Sequence, residues 1–246
     1  MELFWFNSTK NVGDSINPFL FQKLLNLKIE YNKNRNIEHL LGVGSIMQFA
    51  TKQSIVCGSG IITPRLPITK PKKIISIRGP KSQQILKSLG IECPSVFGDP
   101  VLLLPRVYNP NMEKKYDLGI VPHYVDFQDN WVKQQNCFVI DVTLEPLVVI
   151  DQILSCKFII SSSLHGLIIA DAYGIPNSRI KISNKLFGGD FKFLDYEGSV
   201  NKKIQTYDIK YTANQIKDDY QNKKVDIDLD LLYNSLTHND NYNEKN

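Results

Sequence analysis

The run from Phe158 to Pro176 constrains this chain more than any other stretch. Phe158-Ile159-Ile160 is a strand-forming apolar segment that passes through Ser161-Ser162-Ser163 straight into a helical pattern headed by Leu164-His165-Gly166-Leu167. Such a strand-to-helix junction belongs to a parallel sheet, whose strands need helical crossovers. Gly174, followed by Ile175-Pro176, stops the helix, so it is expected over about Leu164 to Tyr173 with His165 in its first turn. The first N–H groups of a helix lack intrahelical partners and carry the positive end of the dipole, which makes this junction an anion site. Ser162 or Ser163 supplies either a cap or a hydrogen bond to the anion. His165 then stands beside the bound anion at the carboxyl end of a strand, where open α/β sheets take their ligands, and is read as a functional group.

Similar alternations recur along the chain and divide into two sets. The first has strands near Leu3 to Phe6, Leu40 to Val43, Ser54 to Cys57, Lys73 to Ile77 and Ser95 to Phe97, with helices near Ser15 to Leu25 and Pro80 to Leu89. The second has strands near Leu118 to Val121, Cys137 to Val142 and Lys157 to Ile160, with helices near Gln128 to Gln135, Glu145 to Leu154 and Leu164 to Tyr173. The polar, proline-bounded segment Pro105 to Tyr116 reads as a linker. The expected fold class is α/β: two Rossmann-like parallel-sheet domains, residues 1–107 and 116–225, facing a cleft. A helix near Ala213 to Gln221 is expected to cross back to the first domain, and residues 226–246 to form a largely disordered tail.

Composition narrows the function classes. With 42% hydrophobic and 22% charged residues the chain is globular. Its net charge of +4 is spread along the sequence without a basic, aromatic cluster, which argues against nucleic acid as a partner. No apolar run reaches membrane-span length and the first residues do not resemble a signal peptide, so a cytoplasmic protein is expected. Cys57, Cys93, Cys137 and Cys156 are far apart and read as buried free thiols. The four histidines are dispersed and no carboxylate cluster has ligand spacing, so no metal site is expected.

Several strand ends carry chemistry. Asn11-Val12-Gly13-Asp14 opens the first helix; Gly13 lets backbone approach a ligand, and Asp14 is equally suited to cap the helix and to act as acid or base. Gly42-Val43-Gly44-Ser45 and Cys57-Gly58-Ser59-Gly60 also end strands with glycines, without the spacing of a dinucleotide fingerprint. No phosphate loop and no nucleophile elbow are present. Arg78, in Ile77-Arg78-Gly79-Pro80, can grip a carboxylate or phosphate with two bonds, the alternative being a salt bridge. Asp99, in Gly98-Asp99-Pro100, is expected to cap a turn, His123 to assist binding, and Arg179, Lys185 and Lys192 to be further anion ligands.

Together and in this order, these segments resemble the polysaccharide pyruvyl transferase family. The resemblance rests on Asn11 to Asp14, Gly58-Ser59-Gly60, Arg78-Gly79-Pro80, Gly98-Asp99-Pro100 with Val101 to Pro105, Val121-Pro122-His123-Tyr124, Ser161 to Leu167 and Gly188 to Tyr196. It implies an architecture similar to glycosyltransferase B, and transfer of a pyruvyl group from phosphoenolpyruvate to a sugar as a ketal. It implies phosphoenolpyruvate as co-substrate with no further cofactor. The implied partner is a sugar of a surface polysaccharide or of its lipid-linked precursor, and the implied place is the cytoplasm or the periphery of the inner membrane. In the family an arginine often precedes the Leu-His pair; Ser163 stands there, which shifts anion binding toward Arg78. His165 is then expected as proton donor or phosphate ligand and Asp14 as base. Arg78, Ser162, Ser163, His123 and Lys192 are expected to hold phosphoenolpyruvate, and Asn11, Gly13 and Ser59 the sugar. Alternatives are a glycosyltransferase using a nucleotide-sugar and a non-catalytic member of a polysaccharide assembly.

Overall fold

In the computed structural model, which describes residues 1–221 and 223–238, the short apolar runs form two five-stranded parallel sheets. The first contains β1 (Glu2–Phe4), β2 (Glu30–Tyr31), β3 (His39–Leu41), β4 (Ser54–Cys57) and β5 (Lys73–Ser76) in the order β2-β1-β3-β4-β5. The second contains β6 (Gly119–Val121), β7 (Phe138–Val139), β8 (Ile159–Ser161), β9 (Asn177–Lys181) and β10 (Thr206–Asp208) in the order β10-β9-β8-β6-β7. Counted from its own first strand, each sheet has the doubly wound order 2-1-3-4-5. Its direction of winding reverses between the first and third strands, and ligands bind beyond the carboxyl ends at that switch point. The switch points are β1 beside β3, with Phe4 opposite Leu41, and β6 beside β8, with Val121 opposite Ser161.

The helices obey local rules. Asn11 caps α1 (Val12–Ser15), and proline occupies the first turn of α2 (Asn17–Leu25), α3 (Pro80–Ser88), α4 (Leu104–Val107) and, after α5 (Asn130–Gln134), of α6 (Pro146–Leu154). α7 (Leu164–Ala172) ends before Gly174, whose φ of 66° is the left-handed conformation that closes helices. The remaining helices are α8 (Phe191–Ser199), α9 (Ala213–Asp218) and α10 (Leu229–Thr237).

The two expected parallel sheets are present, the first within residues 1–107 and the second within residues 116–225, and they share buried residues. One buried core runs from Leu3, Phe21 and Val101 through Val121, Ile150 and Leu167 to Tyr196, Leu232 and Leu236. The helix that was expected to cross back, α9, stays on the second sheet, burying Ala213 and Ile216 with Trp131 and Phe158. The crossing is made by α8, which packs on α3, and by α10, which packs on α2 and β5. Much of the expected disordered tail is thus ordered: Leu229, Leu232, Tyr233 and Leu236 form one helical stripe, with Leu232 and Leu236 fully buried. Residues 239–246 of that tail lie outside the described residues. The expected strand at Ser95 to Phe97 contributes a single bridge, Phe97 to Ile77, while β2, β9 and β10 were not anticipated. Cys57, Cys93 and Cys156 are buried and Cys137 is half-buried, and Cys93, Cys137 and Cys156 are free thiols. Among the described residues no helix is long and apolar enough to cross a membrane.

Candidate active site

Both switch points open onto one cavity of about 520 Å³. Asn11 and Asp14 line it from the segment after β1, Ser45 and Ile46 after β3, His123 and Tyr124 after β6, and Ser163, Leu164 and His165 after β8. Lys192, at the start of α8, completes the polar wall.

His165 fills a space left by a glycine. A Cβ on Gly13 would come within 1.9 Å of His165 Nδ1, so Gly13 leaves the gap that admits the imidazole, and it does not itself line the cavity. On the ring's other edge Nε2 lies 3.5 Å from Asp99 Oδ2. Both atoms are buried and neither has a hydrogen-bond partner among the described residues. Asp99 Oδ1 accepts the Val101 N–H at 3.1 Å, so Asp99 caps its turn as expected and also faces the histidine. That second role is what the sequence reading missed. Its signal was Gly98-Asp99-Pro100 at the end of a strand-like run, but only the packing of α7 onto the 3-10 turn Pro100–Leu103 brings the two residues together.

Flanking Gly13, Asn11 Oδ1 accepts the Asp14 N–H at 3.1 Å, and Asn11 Nδ2 donates to Asp14 Oδ2 at 2.5 Å. Asn11 is therefore the cap, and the Asp14 carboxyl is left to the cavity. Burial raises the Asp14 pKa above its ordinary value; the Asn11 hydrogen bond and the charges of His165 and Lys192 oppose that rise, and Asp99 adds to it. A carboxylate raised in this way is a stronger base.

Lys192 is only 8% exposed and makes no hydrogen bond or close ion pair with a described residue. Burial, reinforced by Arg78 and Arg179, pushes its ammonium down to about 8, against the pull of Asp14 and Asp126. A buried cation without a counter-ion is poised for an anionic ligand. His123 is pushed down to about 3 by burial and by the charges of Lys192 and His165, so it is neutral at pH 7. Its Nδ1 accepts the Val125 N–H at 3.4 Å, which leaves Nε2–H as the donor. The Ser163 side chain makes no cap bond, so its hydroxyl is available to the cavity.

Arg78, Ser59, Ser162, Arg179 and Lys185 do not line this cavity. Arg78 is fully buried, and the carboxylate it grips is the protein's own: Nε and Nη2 lie 3.1 Å and 3.0 Å from Asp195 Oδ2. The same carboxylate accepts the Ser82 N–H at 2.8 Å and hydroxyl at 2.7 Å, so an α8 side chain occupies the anion position at the head of α3. Gly60 leaves room for the guanidinium, since a Cβ there would lie 2.1 Å from Arg78 Cζ. Ser59 is buried beneath this pair, its hydroxyl donating to the Leu41 carbonyl at 3.1 Å and also to that of Gly42. Ser162 is likewise structural: its hydroxyl donates to Asp126 at 2.9 Å and accepts the His123 N–H at 2.8 Å, which pins the segment after β6. Among the described residues no group of three His, Cys, Asp or Glu side chains is arranged to hold a metal ion.

Comparison with known proteins yields one family. The sequence profile described as polysaccharide pyruvyl transferase matches residues 30–184. The chain is 31% identical to the uncharacterized protein L143 of Acanthamoeba polyphaga mimivirus, over 94% of this chain and 86% of that one. It is 29% identical to the succinoglycan biosynthesis protein ExoV of Rhizobium meliloti (strain 1021), over 78% of this chain and 62% of that one. Among solved structures it is similar to the uncharacterized protein KP1_0663 of Klebsiella pneumoniae, with a TM-score of 0.49, 13% identity, and coverage of 80% of this chain and 86% of that one.

Proposed function

Taking as premise that the chain belongs to the polysaccharide pyruvyl transferase family, we propose that it transfers the pyruvyl group of phosphoenolpyruvate to two hydroxyls of a sugar, forming a ketal. One observation carries the reading: the Asp99-backed His165, the raised carboxyl of Asp14 and the uncompensated Lys192 ammonium share one cavity. Lys192 attracts the donor anion, with the Ser163 hydroxyl and His123 Nε2–H as neutral donors. His165 delivers a proton to the methylene carbon, which leaves an oxocarbenium-like centre at the carbon bearing the phosphate ester. A sugar hydroxyl attacks that centre and gives its proton to Asp14. Phosphate then departs, and a second hydroxyl closes the ketal and releases a second proton. Asp99 holds the imidazole in orientation, as a carboxylate does behind a general acid or base.

The opposite wall, Phe6, Phe49, Ile46, Ile62 and Leu66, suits the C–H face of a sugar and, in a lipid-linked acceptor, the adjoining apolar group. Kinship with a succinoglycan biosynthesis protein supports a saccharide acceptor. The test is thermal stabilisation by phosphoenolpyruvate against a panel of nucleotide-sugars. A ligand at a hundred times its dissociation constant adds about 2.7 kcal/mol. Stabilisation by phosphoenolpyruvate, lost in Lys192→Ala, supports the reading, and release of inorganic phosphate that depends on an added glycoside would identify the acceptor class. Stabilisation by a nucleotide-sugar alone would replace it with glycosyl transfer.

A further inference from the structure

A narrow recess of about 60 Å³ lies at the head of α8, lined by Arg179, Lys181, Ser183 and Asp190 among others. Arg179, on β9, is 6% exposed, and its guanidinium lies over the Phe193 ring with Cζ 3.6 Å from the centroid. Stacking fixes the plane of the fork before any ligand arrives. One amino group is paired with Asp190 Oδ1, while Nε is buried with no hydrogen-bond partner among the described residues. Lys181 Nζ stands 4.0 Å from the other Asp190 oxygen. The nine-residue helix α8 begins at the next residue, so its positive end faces the same place. Asp190 is half-exposed and makes no capping hydrogen bond to the helix it precedes. The recess wall also reaches Asp126 through Ser162 and Ser183, but both of its oxygens are already occupied by those two hydroxyls.

Charge matching points the same way. Lys192 is the one lysine or arginine that lines the larger cavity among the described residues, with Ser163 in the arginine position and Arg78 committed to Asp195. A donor with a phosphate and a carboxylate needs a second cationic site. Lys192 and Asp190 bracket the start of α8, one lining the cavity and the other the recess. We infer that the recess is a phosphate subsite for a phosphomonoester, formed by Arg179, Lys181 and the head of α8, and that Asp190 holds the ligand's place until phosphate displaces it. The inference extends the donor reading above, with the phosphate at Arg179 and the carboxylate near Lys192.

Calorimetric titration of the full chain with inorganic phosphate and with phosphoenolpyruvate tests it. Asp190→Asn removes the competing carboxylate and should tighten both ligands by at least about tenfold. Arg179→Gln should weaken both by at least as much, and Arg179→Lys, which keeps charge but loses the fork, should fall between. A structural ion pair predicts the opposite for Asp190→Asn, so unchanged or weaker binding in that half-exposed variant overturns the subsite even if Arg179→Gln fails to fold. Phosphoenolpyruvate binding that ignores both positions leaves the donor reading standing and removes the subsite. Arg179-dependent binding of inorganic phosphate without phosphoenolpyruvate binding keeps the subsite and removes that donor.

Discussion

Gly13→Ala should lower stability only while His165 is present. Gly13 sits in α1 without a positive φ, so alanine strains no backbone and on helix propensity alone should gain up to about 1 kcal/mol. The methyl, however, would lie 1.9 Å from His165 Nδ1, and moving the ring to the 3.4 Å where ordinary contact begins requires a shift of about 1.5 Å. Overpacking of this kind costs roughly 1–3 kcal/mol, which exceeds the propensity gain. In a His165→Ala background the ring is gone, and the same substitution should be neutral or stabilising. Urea unfolding of the four proteins of this double-mutant cycle gives the coupling, expected at roughly 1–3 kcal/mol. The single variant should also lose about a hundredfold in turnover, since a catalytic group displaced by about an ångström loses that much. Equal effects of Gly13→Ala in both backgrounds would refute the claim that this glycine exists to seat the imidazole.

Asp99→Asn retains the oxygen that caps its turn and removes the charge behind His165, so turnover should fall by roughly 10² to 10⁴ with donor affinity almost unchanged; a wild-type turnover number would remove Asp99 from the mechanism. Donor binding needs the charged form of Lys192, whose pKa is lowered to about 8, so affinity measured across pH should fall as pH rises through that value, and Lys192→Met should abolish the dependence. Asp195→Asn strips the partner from a fully buried guanidinium and should cost about 3–5 kcal/mol in urea unfolding, whereas a loss below about 1 kcal/mol would mean that Arg78 finds compensation.

The strands that carry Asp14, His123 and His165 were legible because each is an apolar run ending in polar or glycine residues, and that pattern also marks the ligand side of a parallel sheet. Lys192 was found in the same way, by lying in a motif. Arg78 was legible as an anion-gripping arginine, but the anion is Asp195, more than a hundred residues away, and no local pattern reports such a pairing. The role of Asp99 toward His165 was hidden for the same reason. β9 was missed because Asn177-Ser178-Arg179-Ile180-Lys181 alternates in too few apolar positions to read as a strand, although the sheet buries its first four residues. α10 was missed because the polar residues beyond Thr237 dominated the reading of a segment whose apolar stripe has helical spacing.

The return of α10 has a consequence for how the protein is born. Its Leu232 side chain covers Gly98, where a Cβ would meet it at 2.7 Å, and Arg106 on α4 pairs with Asp230 at 2.5 Å. Synthesis runs from the amino end, so the first sheet leaves the ribosome long before the helix that finishes its core. Throughout translation of the second half, the turn that aims Asp99 at His165 lacks its cover, and its apolar floor is open to chaperones or to aggregation. The two halves cannot mature in sequence; the nascent chain completes the packing around Gly98 and Asp99 only when its last described helix has been released.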